Sequence, residues 1–171
     1  MNYIWDRLND RDFDVVDKWS STDIEKYITF DKTFTISEYY DSFGFGDQKH
    51  GAKAIDSNGE IVGVVLYDTD RNFGSDINQF ILQLFVVNPK LVNNGVGTKM
   101  LQDVIEANKN QYEVFKVKVE GDNIPFLKIC SKVGFKRNKK SESNDGCYAF
   151  ALAVNDKIII KGDRVKRAFR R

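Results

Sequence analysis

The run Leu84-Phe85-Val86-Val87-Asn88-Pro89-Lys90-Leu91-Val92-Asn93-Asn94-Gly95-Val96-Gly97-Thr98-Lys99-Met100-Leu101 constrains the fold most. A strand from about Gln79 to Val87 is apolar almost throughout, which suits a strand covered on both faces. Pro89 ends it, a short polar loop follows, and Gly95-x-Gly97 opens a helix. That helix carries Val96, Met100, Leu101, Val104 and Ile105 at helical spacing and runs to about Asn108–Asn110. Val114–Val119 then alternates around Lys116 and Lys118, the period of a returning strand. Strand, helix and strand in so short a stretch predict one parallel β-α-β unit.

The flanking sequence has other periods. Asn2–Leu8 predicts a short strand with Tyr3 and Trp5 on one face. Phe13, Val16 and Trp19 are spaced by three and predict a helix from Asp12. Ser21 or Thr22 is placed to cap a second short helix through Ile24, Tyr27 and Ile28, and Ile36–Phe43 predicts a further turn or two. Gly51–Asp56 and Glu60–Tyr67 flank Ser57-Asn58-Gly59, a hairpin signal, and a polar loop is expected over Asp68–Asp76. After the β-α-β unit, Asn123 or Asp122 caps a helix over Pro125–Lys132 that stops at Gly134. Strands are expected at Phe135–Lys140, Cys147–Val154 and Ile158–Ile160, then a frayed basic end. Hairpins mixed with one parallel unit predict an α+β fold on a mixed sheet.

A chain of 171 residues is long enough for one domain with a core of its own. We read 1–156 as that domain and 157–171 as a basic tail. The tail holds seven Lys or Arg and one acid, while the first fifty residues hold six Lys or Arg against eleven Asp or Glu. The acidic third suits a cationic partner, and the tail suits nucleic acid or another anion, unless both are only solvated faces. Two cysteines cannot make a disulfide framework, and a single histidine supplies metal sites poorly, so a cytoplasmic location and no metal are expected. No apolar run approaches the length of a membrane span, and the residues after Met1 are too charged for a signal peptide.

Glycines at the start of a helix let backbone N–H groups approach an anion, and the helix end adds its positive dipole. The nucleotide motifs fit badly. A P-loop needs Gly-Lys-Ser/Thr, whereas Thr98 precedes Lys99, and a dinucleotide fingerprint needs glycine where Met100 stands. A second segment, Asp122-Asn123-Ile124-Pro125 to Val133-Gly134-Phe135, lies one strand further on. Together the two resemble the GNAT superfamily of acetyl-CoA-dependent N-acetyltransferases. The resemblance covers Gln79–Phe135 and rests on Val87-Asn88-Pro89, the Gly95-x-Gly97 loop, and Asn123 followed at the family's spacing by Gly134-Phe135.

That resemblance implies a mixed, mostly antiparallel sheet of six to seven strands with about four helices, with the acetyl-CoA core at 79–135. It implies that backbone groups of Phe85, Val86 and Val87 pair with the pantetheine arm, with the Val87 amide facing the thioester carbonyl. Amides of Asn93, Asn94, Gly95, Val96, Gly97 and Thr98 would hold the pyrophosphate. Asn123 would bond the pantetheine region, and Lys99, Lys128 or Lys132 would meet the outer phosphates. Three positions depart from the family. Val92 replaces an Arg or Gln. Gln83 stands where some members carry a Glu base and cannot take a proton. Cys130 stands where many carry a Tyr acid, and is either a thiol donor or a packing residue. The acceptor amine would meet the N-terminal helices and the loop before the central strand, with Glu38, Tyr39 and Asp70 as contacts. Asp23, Glu25, Asp41, Trp19 and Tyr40 are further candidates there. A small-molecule or peptide amine, most simply a cationic one, is the expected acceptor. The other readings are an acyl-CoA-binding module without turnover and a nucleic-acid-binding protein acting through 157–171.

Overall fold

The computed structural model describes residues 2–20, 35–42, 50–71, 77–139, 146–155, 158–161 and 164–167. Its strands are β1 (Tyr3–Arg7), β2 (His50–Asp56), β3 (Ile61–Arg71), β4 (Asn78–Val87), β5 (Val114–Glu120), β6 (Lys136–Arg137), β7 (Cys147–Ala153), β8 (Ile158–Lys161) and β9 (Arg164–Arg167). The helices among these residues are α1 (Asp10–Ser20), α2 (Ile36–Ser42), α3 (Val96–Asn108) and α4 (Ile124–Val133), with a 3-10 turn at Pro89–Leu91. Seven strands form one sheet in the order β1-β2-β3-β4-β5-β7-β6, and β8 pairs with β9 in a second. Among the described residues only β4 and β5 pair in parallel, around the crossover helix α3. The α+β fold with a mostly antiparallel sheet is therefore present.

The β2–β3 hairpin turns where Asn58-Gly59 was expected to turn it. Gly59 has φ 81°, and one Asp56 carboxylate oxygen accepts from the Asn58 and Glu60 amides at 2.8 and 2.9 Å. Two expectations need correction. Residues 68–71 are strand, not loop, because Asp68–Arg71 pair with Asn78–Ile81 of β4. Residues 164–167, expected in a frayed tail, are strand as well: β9 pairs with β8 from Ile158↔Arg167 to Lys161↔Arg164. In both cases strand pairing, with Asn78–Ile81 and with Ile158–Lys161, overrides the polar composition of the segment. The short helix expected through Ile24–Ile28 lies outside the described residues.

The sheet carries a core on each face. Toward α3 and α4 lie Phe80, Leu82, Phe85, Met100, Leu101, Phe115, Val117, Phe126 and Cys130. Toward α1 and α2 lie Val16, Trp19, Ile36, Val64, Leu66, Leu84 and Val86. Lys53 of β2 pins α1 from within. It is 7 % exposed and its ammonium lies 2.7 Å from both Asp12 carboxylate oxygens, while Asp12 also accepts the Asn9 amide at the helix start. Asp17 of α1 accepts the Ser37 amide and hydroxyl, which fixes α2 against α1.

Candidate active site

Strands β4 and β5 part in the middle of the sheet. Their pairing runs only from Gln79↔Val114 to Leu82↔Val117. Beyond it β4 stays with β3 as far as Gly63↔Val87, and β5 stays with β7 as far as Glu120↔Cys147. A bulge begins the separation. Leu66 faces Leu84 and Tyr67 faces Leu82, so Gln83 is an extra residue in β4. A bulge bends and twists its strand. It also shifts the side-chain alternation: Phe80 and Leu82 belong to the α3/α4 face, after which Phe85 does so and Leu84 and Val86 turn to the other.

The inner edge of β4 beyond the bulge is therefore free to pair. The Asn88 amide donates to the Val62 carbonyl of β3 at 2.8 Å. Amides alternate between the two edges of a strand, so those of Val87 and Phe85 point into the gap.

Two helix starts converge on this gap. α3 begins at Gly95, whose φ of 75° favours glycine, and no side chain caps it. The Lys99 amide is the first to find a helical partner, the Gly95 carbonyl at 3.1 Å, so the amides of Val96, Gly97 and Thr98 have none within the helix. Gly97 answers a different need. A Cβ on it would come within 2.9 Å of Ile129 Cδ1 and 3.3 Å of Val87 Cγ2, where β4, α3 and α4 meet. α4 begins at Asn123, 1 % exposed, whose side-chain oxygen accepts the Phe126 amide at 3.1 Å, with Pro125 in the first turn.

Between them lies a cavity of about 420 Å³ lined by Phe85, Val86, Val87, Val92, Asn93, Gly95, Gly97, Thr98, Asn123, Ile124, Pro125, Phe126, Lys128 and Ile129. Lys128 is its one charged lining residue among those described. The cavity thus offers an anion main-chain donors, a helix end and one ammonium, within walls that are largely apolar. Phe85 and Phe126 stack inside it, ring centroids 5.2 Å apart.

Of the residues expected to bind cofactor, Phe85, Val86, Val87, Asn93, Gly95, Gly97, Thr98 and Asn123 line this one cavity. Val96 is buried beneath it, and Asn94 is outside the lining. The Lys99 ammonium turns away from the cavity to Asp103, 2.5 Å off, and lies 4.6 Å above the Tyr3 ring. Lys132 is likewise absent from the lining, which leaves Lys128 of the three lysines considered. Val92 is 41 % exposed at the cavity's edge. The first turn of α4, Ile124–Phe126 with Ile129, supplies a wall that the sequence reading did not assign; the cap at Asn123 and the helical spacing beyond it were the available signal.

Cys130 is 0 % exposed in the core, and burial pushes its thiol up to about 12. On the other face, Glu38 is committed to a capping box: it accepts the Thr35 amide and hydroxyl at 2.8 and 3.0 Å, bonds that hold its carboxyl below the ordinary range. Tyr39 packs on the α1/α2 core, and burial raises its phenol to about 12. Trp19 is core, and Tyr40 packs against Phe13 at 5.5 Å. Asp70 pairs with Gln79 in the sheet, and Asp41 is exposed near the end of α2. Asp23 and Glu25 lie outside the described residues. No group of three or more His, Cys, Asp or Glu among the described residues could hold a metal ion. No helix among them is long and apolar enough to cross a membrane.

The sequence model of the Acetyltransferase (GNAT) family matches residues 14–135. The chain belongs to that family, whose members are N-acetyltransferases. No curated protein matches it in sequence. Similar solved structures include the aminoglycoside N(6')acetyltransferase of Legionella pneumophila, 13 % identical with TM-score 0.69, matching 90 % of this chain and 94 % of that one. The spermidine N-acetyltransferase of Vibrio cholerae, solved with CoA and spermine, is 11 % identical with TM-score 0.68 over 88 % and 95 %. The ribosomal-protein-S18-alanine N-acetyltransferase of Escherichia coli is 16 % identical with TM-score 0.60 over 90 % and 94 %. At these identities the likeness is one of fold.

Proposed function

We propose that the protein moves an acetyl group from acetyl-CoA directly to a primary amine. The observation that carries this is the uncapped start of α3: three amides without helical partners, beside a cavity that ends at a parted pair of strands. The free edge of β4 at Phe85–Val87 would hold the pantetheine arm as an added strand. The amides from Gly95 to Thr98 would hold the diphosphate, with Lys128 beside them. Asn93, Asn123 and the Phe85–Phe126 stack would line the rest. The two free, buried cysteines suit a reducing cytoplasmic setting.

The amine nitrogen attacks the thioester carbonyl carbon, the oxygen gathers negative charge, and the C–S bond then breaks to release the CoA thiolate. The Val87 amide is the candidate donor to that oxygen, worth about 2.7–4 kcal/mol if it acts as an oxyanion-hole donor. The amine surrenders one proton and the thiolate takes one. Gln83 accepts none, and a thiol sealed in the core at about 12 is a poor donor, so both transfers are assigned to solvent. In this reading Cys130 is a packing residue. The expected cationic acceptor draws no support from Glu38, which is occupied in its capping box.

Calorimetry with coenzyme A, followed by thiol release from acetyl-CoA over a panel of amines, tests the proposal. Binding with turnover on some amine supports it, and absence of binding overturns it. The state of Gln83 and Cys130 favours one second reading, an acyl-CoA-binding module with little turnover. Tight binding with no amine consumed would establish that instead.

A further inference from the structure

In the acetyltransfer reading the cofactor takes the cavity on the α3/α4 side, which leaves the opposite sheet face to the acceptor. Strand alternation shows what that face carries on β5. Phe115, Val117 and Val119 belong to the α3/α4 core, so Lys116, Lys118 and Glu120 point the opposite way. Lys118 follows Val117, the last residue of β5 paired to β4, and so stands level with the bulged Gln83 where the gap opens. Its cross-strand neighbour on β7 is Ala149, and on its other side β4 has departed. Lys116 and Glu120 are each already engaged. Among the described residues of the two parted strands, Lys118 is the one charged side chain without a partner, and it is exposed.

An unneutralised ammonium here repels an acceptor that brings a second positive charge and attracts one that brings a negative charge. We infer that Lys118 is an acceptor-binding residue that selects amines bearing a carboxylate or phosphate close to the nucleophilic nitrogen. The inference rests on the acetyltransfer reading above and names its substrate class. A hydrogen bond to a charged group strengthens binding by about tenfold or more, and that is the discrimination expected between an anionic amine and its uncharged counterpart.

The experiment compares kcat/KM per unprotonated amine, by thiol release, for O-phosphoethanolamine against ethanolamine and for L-phenylalanine against L-phenylalaninamide, with spermidine as the cationic control. The wild type should favour the anionic member of at least one pair by about tenfold, and spermidine should be poor. Lys118→Met should cut that ratio about tenfold and Lys118→Arg should restore it. Because it is a ratio within one preparation, loss of folded protein leaves it unmoved. The phosphate and carboxylate pairs separate the two anion sources. A wild-type preference for the uncharged amines or spermidine, or a ratio unchanged by Lys118→Met, overturns the inference while leaving acetyltransfer standing. If no amine turns over, thermal stabilisation of the CoA-saturated protein by the same compounds decides: stabilisation by anionic amines that Lys118→Met abolishes supports it, and none refutes it.

Discussion

A carboxylate at position 83 should turn this protein into a faster catalyst at neutral pH. Gln83 is the bulged residue just past the last β4–β5 pair, half-buried and level with Lys118. An alkylamine with a pKa of about 10.4 is neutral in fewer than about one molecule in a thousand at pH 7. With no base at the site, kcat/KM should climb about tenfold per pH unit until the amine itself titrates. In Gln83→Glu the new carboxylate, facing Lys118 and partly open to water, stays ionised across that range and can take the ammonium proton directly. General bases contribute about 10²–10⁴-fold, and a half-exposed one should sit at the lower end. We therefore expect about a hundredfold gain at pH 7 that shrinks toward nothing near pH 10, where the amine is already neutral. Thiol release measured from pH 6 to 10 on the best amine gives both curves, and thermal unfolding checks that the variant folds as the parent does. Parallel profiles with no gain at pH 7 would show that the amine does not lose its proton at this bulge.

Three further outcomes follow from particular contacts. Gly97→Ala should leave the unfolding free energy within about 1 kcal/mol of wild type, because a helix-propensity gain offsets the 2.9 Å approach to Ile129. It should nevertheless weaken CoA by about 1–3 kcal/mol in calorimetry, since the methyl fills the junction of three cavity walls; unchanged affinity would remove Gly97 from the site. Lys53→Met strands the half-buried Asp12 carboxylate without its cation and should cost about 3–5 kcal/mol, read as a drop in Tm of roughly 6–20 °C. A shift of only a degree or two would show that the pair contributes nothing net. Cys130→Ala should keep its turnover and lose about 1 kcal/mol of stability, and a collapse in kcat at all pH values would restore the thiol to the chemistry.

Local sequence carried the β-α-β unit well. The continuous apolar run of β4, the helical spacing from Val96 to Ile105 and the cap at Asn123 each depend on neighbours a few residues away. The same is true of the Asn58-Gly59 turn. What escaped was set by particular pairings and contacts, several of them close in sequence, that composition and apolar period do not display. Asp68–Arg71 has loop composition and becomes strand because Asn78–Ile81 lies beside it. Glu38 reads by composition as an acceptor-binding acid and is a cap once Thr35 starts α2. Lys99 and Lys128 were equivalent lysines until Asp103 and Tyr3 drew one of them off.

Sequence alone therefore determined the strands and helix of the β-α-β unit and where a helix start offers unpaired amides, since capping, glycine geometry and apolar period act within a turn or two of chain. Tertiary structure alone decided where β4 and β5 part, that Gln83 is the residue displaced at that point, and that Lys118 stands exposed beside it. Those features arise from register between strands distant in sequence, and register is a property of the assembled sheet.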